Sequence, residues 1–222
     1  MDILKNIIAD LDWRSGELAV LKTLPHRYNI LDNHQILLKT YLVPAIYALW
    51  EGYVCNSFQS YIRFINSLNL CANELHINIL TFALMSDIRL NLGNPRLHLE
   101  KQKKFVEIYN NTISKTININ PSIPTRSNVN YDVINEILQL FNLSSIDITY
   151  KSPLNKLLKF RNSIAHGERA IPVKDENIME FTNLLINLMS EIYLKIENGI
   201  KSKSYLSDSD SDVPLSISTS SL

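Results

Sequence analysis

The sequence predicts an all-α fold, and three observations carry that prediction. Five glycines and eight prolines in 222 residues are too few for the many tight reversals that a β-sandwich or barrel needs. Apolar residues recur at helical spacing in one segment after another. The residues that punctuate those segments, Pro25, Gly93, Ser152-Pro153, Gly167 and Gly199, are of the kinds that start and stop helices. The length suits one domain, and a composition 45% apolar and 20% charged is that of a globular protein with a sizeable core.

Residues 3 to 24 place Leu4, Ile7, Ile8, Leu11, Leu18 and Leu21 at helical spacing, which predicts an amphipathic first helix closed by Pro25. A polar stretch, Asn29 to Asn33, links it to a long segment from His34 to Leu68. That segment is apolar nearly all round, with Tyr41, Leu42, Val43, Ile46, Tyr47, Leu49, Trp50, Tyr53, Val54, Phe58, Tyr61, Ile62, Phe64 and Ile65. A helix with no polar face belongs at the centre of a bundle. Pro44 should kink or break it, at about 3 kcal/mol if the helix continues. Gly52, worth about 1 kcal/mol less than alanine in a helix, marks a place where another helix comes close.

A helix over Asn73 to Leu92 stopping at Gly93, a more polar one over Leu97 to Lys115, and a loop over Ile117 to Val129 containing Pro121 and Pro124 follow. Ile134, Ile137, Leu138 and Phe141 make a short helix. Ser152 as N-cap with Pro153 at the first helical position opens the next, and Gly167 ends it. The last helix runs from Lys174 to Asn198, with Ile178, Phe181, Leu185, Leu188 and Ile192 on one face before Gly199. The helical domain therefore occupies residues 1–200. Residues 201–222, with the run Ser207-Asp208-Ser209-Asp210-Ser211-Asp212, lack the apolar content to pack and are expected to form a disordered tail: a solvated segment, a phosphorylation target, or a strand of charge for a basic partner.

The formal net charge is zero, and the last 22 residues hold two Lys against three Asp, so the body carries only +1. A protein that coats polyanions needs many more cations. Any nucleic-acid contact is therefore local. Cys55 and Cys71 lack metal-ligand spacing and sit in apolar contexts, as buried free thiols do in a reducing compartment. His26, His34, His76 and His98 are scattered without the paired spacing of metal ligands, and no glycine-rich phosphate loop is present, so neither metal nor nucleotide cofactor is expected. The first residues form no secretory signal. The longest uncharged apolar run, Thr40 to Trp50, is too short to span a bilayer, and a cytoplasmic location is the expectation.

The stretch Leu154 to Glu168 carries the chemistry. Leu154, Leu157, Leu158, Ile164 and Ala165 form an apolar stripe on a helical projection, with Arg161 in its middle. A permanently charged guanidinium there needs a carboxylate, a phosphate or a polar cleft. Glu51 is the comparably misplaced acid, flanked by Tyr47, Val54, Cys55 and Phe58, so one reading is a buried Arg161–Glu51 salt bridge that fixes helix packing. His166 lies five residues beyond Arg161, roughly 140° round the helix, and taken alone a histidine before a glycine at a helix end is more often a capping residue than a catalyst. Lys156, Lys159 and Arg169 are close enough in sequence to make a basic rim, or to be the solvated face of an amphipathic helix.

Arg161-Asn162-Ser163-Ile164-Ala165-His166 resembles the R-N-x-x-x-H motif of the HEPN superfamily. The segments Leu11-Asp12-Trp13-Arg14 with Glu17-Leu18, and Tyr47-Ala48-Leu49-Trp50-Glu51-Gly52-Tyr53-Val54, are similar to the MAE-type HEPN-like nuclease branch, so the resemblance spans nearly all of residues 1 to 200. It implies an HEPN-type helical bundle and a metal-independent endoribonuclease, a toxin or phage-defence effector, in which two protomers bring their motifs into one cleft. Under that resemblance His166 is general base or acid, Arg161 holds the scissile phosphate, Asn162 orients ribose or histidine, Glu51 positions Arg161, and Lys156, Lys159 and Arg169 contact RNA. The implied partners are an RNA substrate, a second copy of the chain, and an antitoxin or defence-system protein. The runner-up that the resemblance admits is a non-catalytic HEPN binding module partnering a nucleotidyltransferase or defence nuclease; the retention of both Arg161 and His166 favours catalysis.

Overall fold

The computed structural model describes residues 3–92, 99–126, 128–168 and 171–207, with helical residues 85–92, 99–102, 104 and 105 described by their backbone alone. Among the described residues the chain forms seven α-helices, α1 Ile3–Arg27, α2 Asp32–Ser67, α3 Ile77–Leu92, α4 Leu99–Thr112, α5 Tyr131–Leu140, α6 Lys151–Ala165 and α7 Asp175–Lys201. Extended pairing there is limited to two isolated bridges, Cys71 with Thr116 and Leu75 with Leu206. The all-α prediction is met.

The central element is α2, which packs against α1, α6 and α7. Trp50, Tyr47, Tyr53, Tyr61 and Phe58 are among its fully buried side chains, and Phe58 stacks on Phe141 at 5.3 Å between ring centroids. The helix continues through Pro44 without a break. Leu42, Val43, Ile46 and Tyr47 are buried on either side of it, and several such side chains at about 1.5–3 kcal/mol each outweigh the proline's penalty. Pro25 likewise sits inside α1, near its end, and its carbonyl accepts the side-chain N–H of Gln35.

Gly52 is where α1 approaches. A Cβ there would lie 2.7 Å from Nη1 of Arg14, whose guanidinium is buried between the two helices, donating to the Leu49 carbonyl and pairing with Asp10 at 3.0 Å. Gly199 plays the same part in α7: a Cβ would run into the Leu143 side chain, so the helix passes through this glycine to Lys201 instead of ending before it.

Three further boundaries depart from the sequence reading. Ser152 does not cap α6: the helix starts at Lys151 directly out of a 3₁₀ turn at Ile148–Tyr150, and it is this turn that Asp147 caps by accepting the Thr149 N–H. Pro153 then stands third in the helix, still in the first turn where a missing N–H is tolerated. The helix expected from Asn73 is divided into a 3₁₀ turn at Ala72–Glu74 and α3, because Leu75 and His76 bond to the returning chain at Leu206 and Tyr205. That returning chain continues the fold past residue 200: Tyr205 is buried, its ring edge-on to Phe64, and the Ser207 N–H donates to the Glu74 carbonyl. The expected stop at Gly93, and the Ser/Asp run from Asp208 onward, lie outside the described residues.

Cys55 and Cys71 are free and half-buried, less enclosed than expected; burial pushes the Cys55 thiol up, with the Glu51 charge adding to the effect. No helix among the described residues is long and apolar enough to cross a membrane.

Candidate functional site

Leu154, Leu157 and Leu158 bury one face of α6 against the core, and Phe160 meets Phe181 of α7 edge-on at 5.4 Å. The expected stripe does not run on to Ala165, which is exposed; Ser163 takes the inner position instead. Arg161 is therefore half-buried at the seam between α6, α2 and the loop before α5. Its Nη1 donates to Asn162 Oδ1 at 2.9 Å and to Asn128 Oδ1 at 3.3 Å, and its guanidinium carbon lies 5.0 Å from the ring centroid of Tyr47.

The expected Arg161–Glu51 ion pair is not formed among the described residues. Glu51 stands one helical turn beyond Tyr47, and the aromatic ring takes the place beside Arg161 that a carboxylate would otherwise fill. Both charges are felt at the Tyr47 hydroxyl. Burial, first, pushes that hydroxyl up to about 12; the Glu51 charge adds to the rise, while the Val129 N–H and the Arg161 charge oppose it.

Tyr47 also fixes the loop. Its hydroxyl oxygen accepts the Val129 N–H at 2.6 Å, and one turn along α2 Trp50 Nε1 donates to the Val129 carbonyl at 2.9 Å. Both backbone groups of one buried loop residue are thus satisfied by the central helix. On the two sides of Val129, Asn128 reaches Arg161 and Asn130 caps α5 by accepting the Val133 N–H.

His166 is the C-cap of α6, and its backbone N–H donates to Asn162. Gly167 follows at φ 65°, with its N–H bonded to the Ile164 carbonyl and the Glu168 N–H bonded to that of Ser163. This pair of bonds closes the helix and requires the left-handed conformation that glycine adopts without strain. The His166 side chain is exposed, and no hydrogen bond or ion pair engages its imidazole among the described residues. Arg161 thus points into the seam while His166 points out of it, as their angular separation on the helix requires.

Of the expected basic rim, Lys156 is committed to Glu180 at 2.6 Å and to the face of Phe181, Lys159 is exposed without an ion pair among the described residues, and Arg169 lies outside those residues. Among the described residues no group of three or more His, Cys, Asp or Glu side chains is placed to hold a metal ion. The same end of the bundle carries an exposed apolar surface. Tyr28 and Leu31 in the α1–α2 connection, and Ile36, Leu37 and Tyr41 on α2, are each more than half exposed. The start of α7 is tied to this end by Asp175, which pairs with Lys39 and His26.

Asn128 went unnoticed in the sequence because no periodicity links a loop residue to one 33 positions away. Tyr47 was visible there only as core. The composition of the loop offered one hint, the asparagine pair flanking Val129.

Searches of the curated proteins and of the solved structures gave no match. The profile of the family described as MAE_28990-like HEPN matches residues 3–205, from the first helix through the returning segment that buries Tyr205. With the R-N-x-x-x-H residues at the end of α6 and the match running almost the whole length, the chain belongs to the MAE_28990-like HEPN family.

Proposed function

We propose that the protein is a metal-independent endoribonuclease that acts as a homodimer, in the setting of a toxin or phage-defence effector with its own protein partner. The observation that carries this reading is the environment of Arg161. A half-buried guanidinium ordinarily has a carboxylate beside it. Here, among the described residues, its hydrogen-bond and ring partners are two amide oxygens and an aromatic face, all neutral. They orient the guanidinium without cancelling its charge, which leaves it available to an anion such as a phosphodiester.

The chemistry follows from what lies near it. In RNA the ribose 2′-hydroxyl can attack the adjacent phosphorus, so that the new O2′–P bond forms as the bond to the departing 5′-oxygen breaks. The products are a 2′,3′-cyclic phosphate and a 5′-hydroxyl. Such a step needs a proton acceptor for the 2′-hydroxyl, a proton donor for the 5′-oxygen, and stabilisation of the charge on the phosphorane oxygens. His166, exposed at the helix end, takes one proton-transfer role, and the His166 of a second copy takes the other. Arg161 stabilises the phosphorane, Asn162 holds Arg161 in line, and Lys159 adds local positive charge for the RNA strand.

A second copy resolves the divergence of Arg161 and His166, since residues that point apart on one helix converge with their counterparts across a two-fold axis. The exposed Ile36, Leu37 and Tyr41 at that end supply the apolar surface such an axis would bury.

The test is cleavage of a broad RNA panel in excess EDTA by wild type, Arg161→Ala and His166→Ala, with end-group analysis of the products. Cleavage giving cyclic-phosphate ends, lowered at least about 10²-fold in each folded variant, supports the enzyme. Intact RNA with folded, dimeric wild type freed of any co-purifying partner transfers the reading to a non-catalytic module that binds a nucleotidyltransferase or defence nuclease.

A further inference from the structure

The amide of Asn128 is oriented by what it bonds. Arginine is donor-only, so the atom that Asn128 presents to Arg161 must be its carbonyl oxygen, and the Nη1–Oδ1 distance is 3.3 Å. The Nδ2 group is thereby turned away from the guanidinium, and among the described residues it donates to no protein acceptor. Asn162 is held in the same sense, with Oδ1 on Nη1 at 2.9 Å. One arginine therefore orients two amides, and the NH₂ group of each is left without a protein acceptor among the described residues.

Asn128 is also rigid in a way unusual for a loop residue. Its own N–H donates to the Thr125 carbonyl, its carbonyl accepts the Asn130 N–H, and the next residue, Val129, is fully buried with both backbone groups held by Tyr47 and Trp50 of α2. The amide is half-buried, and its backbone is anchored to the same central helix whose Tyr47 ring lies under Arg161. The backbone that carries Asn128 is thus held in place beside Arg161 by the central helix. A site that must stabilise charge at one point needs donors placed in advance.

We infer that Asn128 is a binding residue of the Arg161 site: its Nδ2 donates to a non-bridging oxygen of the same phosphate that Arg161 holds, completing a cradle of Arg161, Asn162 and Asn128 whose amide oxygens are taken up by Arg161 and whose free groups are donors. The inference rests on the ribonuclease reading for the identity of the anion as an RNA phosphodiester; that the cradle takes a phosphate oxygen follows from its donors alone.

The experiment uses the full chain, ¹⁵N-labelled, with inorganic phosphate as the first probe and a 2′-O-methyl oligoribonucleotide, which cannot be cut by 2′-hydroxyl attack, as the second. Phosphate is expected to shift the Asn128 side-chain NH₂ resonances, and to leave them unshifted in Arg161→Ala. Asn128→Asp has nearly the same shape and keeps an oxygen for Arg161, but it removes the donor and neutralises the guanidinium. It should weaken oligonucleotide binding by roughly tenfold or more, and Asn128→Ala by several-fold, with thermal unfolding of the Asp variant close to wild type. A residue that only shaped the loop would lower the melting temperature in the Ala variant and leave that variant's oligonucleotide binding intact at temperatures where it is folded. That result overturns the inference, as does a phosphate titration that leaves the Asn128 NH₂ unmoved. RNA cleavage with unchanged kcat and KM in both variants would sink the role of Asn128 while the ribonuclease stands. Phosphate shifts at Asn128 in a wild type that cuts no RNA would uphold the cradle while the ribonuclease falls.

Discussion

The backbone N–H of Val129 donates to the hydroxyl of Tyr47 at 2.6 Å, a bond between a loop and a helix separated by 82 residues, and both partners are buried. Through it the central helix holds the segment that delivers Asn128 to Arg161.

Tyr47→Phe keeps the ring under Arg161 and removes only the acceptor. A buried N–H left without a partner costs about 1–3 kcal/mol, a drop of several degrees in melting temperature for a domain of this size. Thermal unfolding by circular dichroism measures it. An unchanged midpoint would mean that water replaces the hydroxyl and that the loop is not fixed there.

Gly52→Ala separates helix propensity from packing. In an open helix the change would stabilise by about 1 kcal/mol, but here the new methyl meets the Arg14 guanidinium at 2.7 Å. That guanidinium is buried and bonded to Leu49, so it cannot move away freely. Net destabilisation of roughly 1–3 kcal/mol is expected in urea titrations. In the Arg14→Ala background the obstacle is gone, and the same substitution should turn neutral or favourable.

Alkaline pH should unfold the protein cooperatively. Burial raises the Tyr47 hydroxyl from its model-compound value of 10.0 to about 12 and pushes Tyr53 and Tyr61 up further. The folded chain thus holds protons that the unfolded chain releases, so stability falls with rising pH. The contribution of Tyr47 is whole below pH 10 and is lost as pH rises from 10 through 12, and that of Tyr53 and Tyr61 is lost at higher pH still. Phenolate absorbance and ellipticity followed together should change in one step for the buried rings. Full phenolate formation near pH 10 with the helices intact would contradict the burial of these hydroxyls.

Leu37→Asp combined with Tyr41→Asp places two charges on the exposed apolar surface of α2 without touching the core. Under the proposed homodimeric ribonuclease, light scattering is expected to show monomers in place of the wild-type dimer, with cleavage lost and the melting profile of the protomer retained. A variant that stays dimeric and active would place the two-fold axis elsewhere.

Glu51 shows why the site was only partly legible. Its apolar neighbours made it the natural partner of Arg161, a pairing argued from two misplaced charges. Which charge meets which depends on the side chain lying between them, and the Tyr47 ring occupies that place. Conversely, the motif residues Arg161, Asn162 and His166 were readable because they share one helix, whose geometry fixes their relative directions without any tertiary knowledge.

The sequence by itself determined the helices, their order, the central position of α2 and the end of α6 at Gly167, because each depends on local spacing, burial pattern or a single backbone conformation. It also determined the motif that places the chain in the HEPN family. The tertiary structure alone decided that Asn128 and Tyr47, not Glu51, surround Arg161, that α7 passes through Gly199, and that residues 201–207 pack back onto the 3₁₀ turn at Ala72–Glu74. These are contacts between segments far apart in the chain. They form where close packing leaves room and where buried backbone groups need partners, and neither condition is written in the periodicity of any one segment.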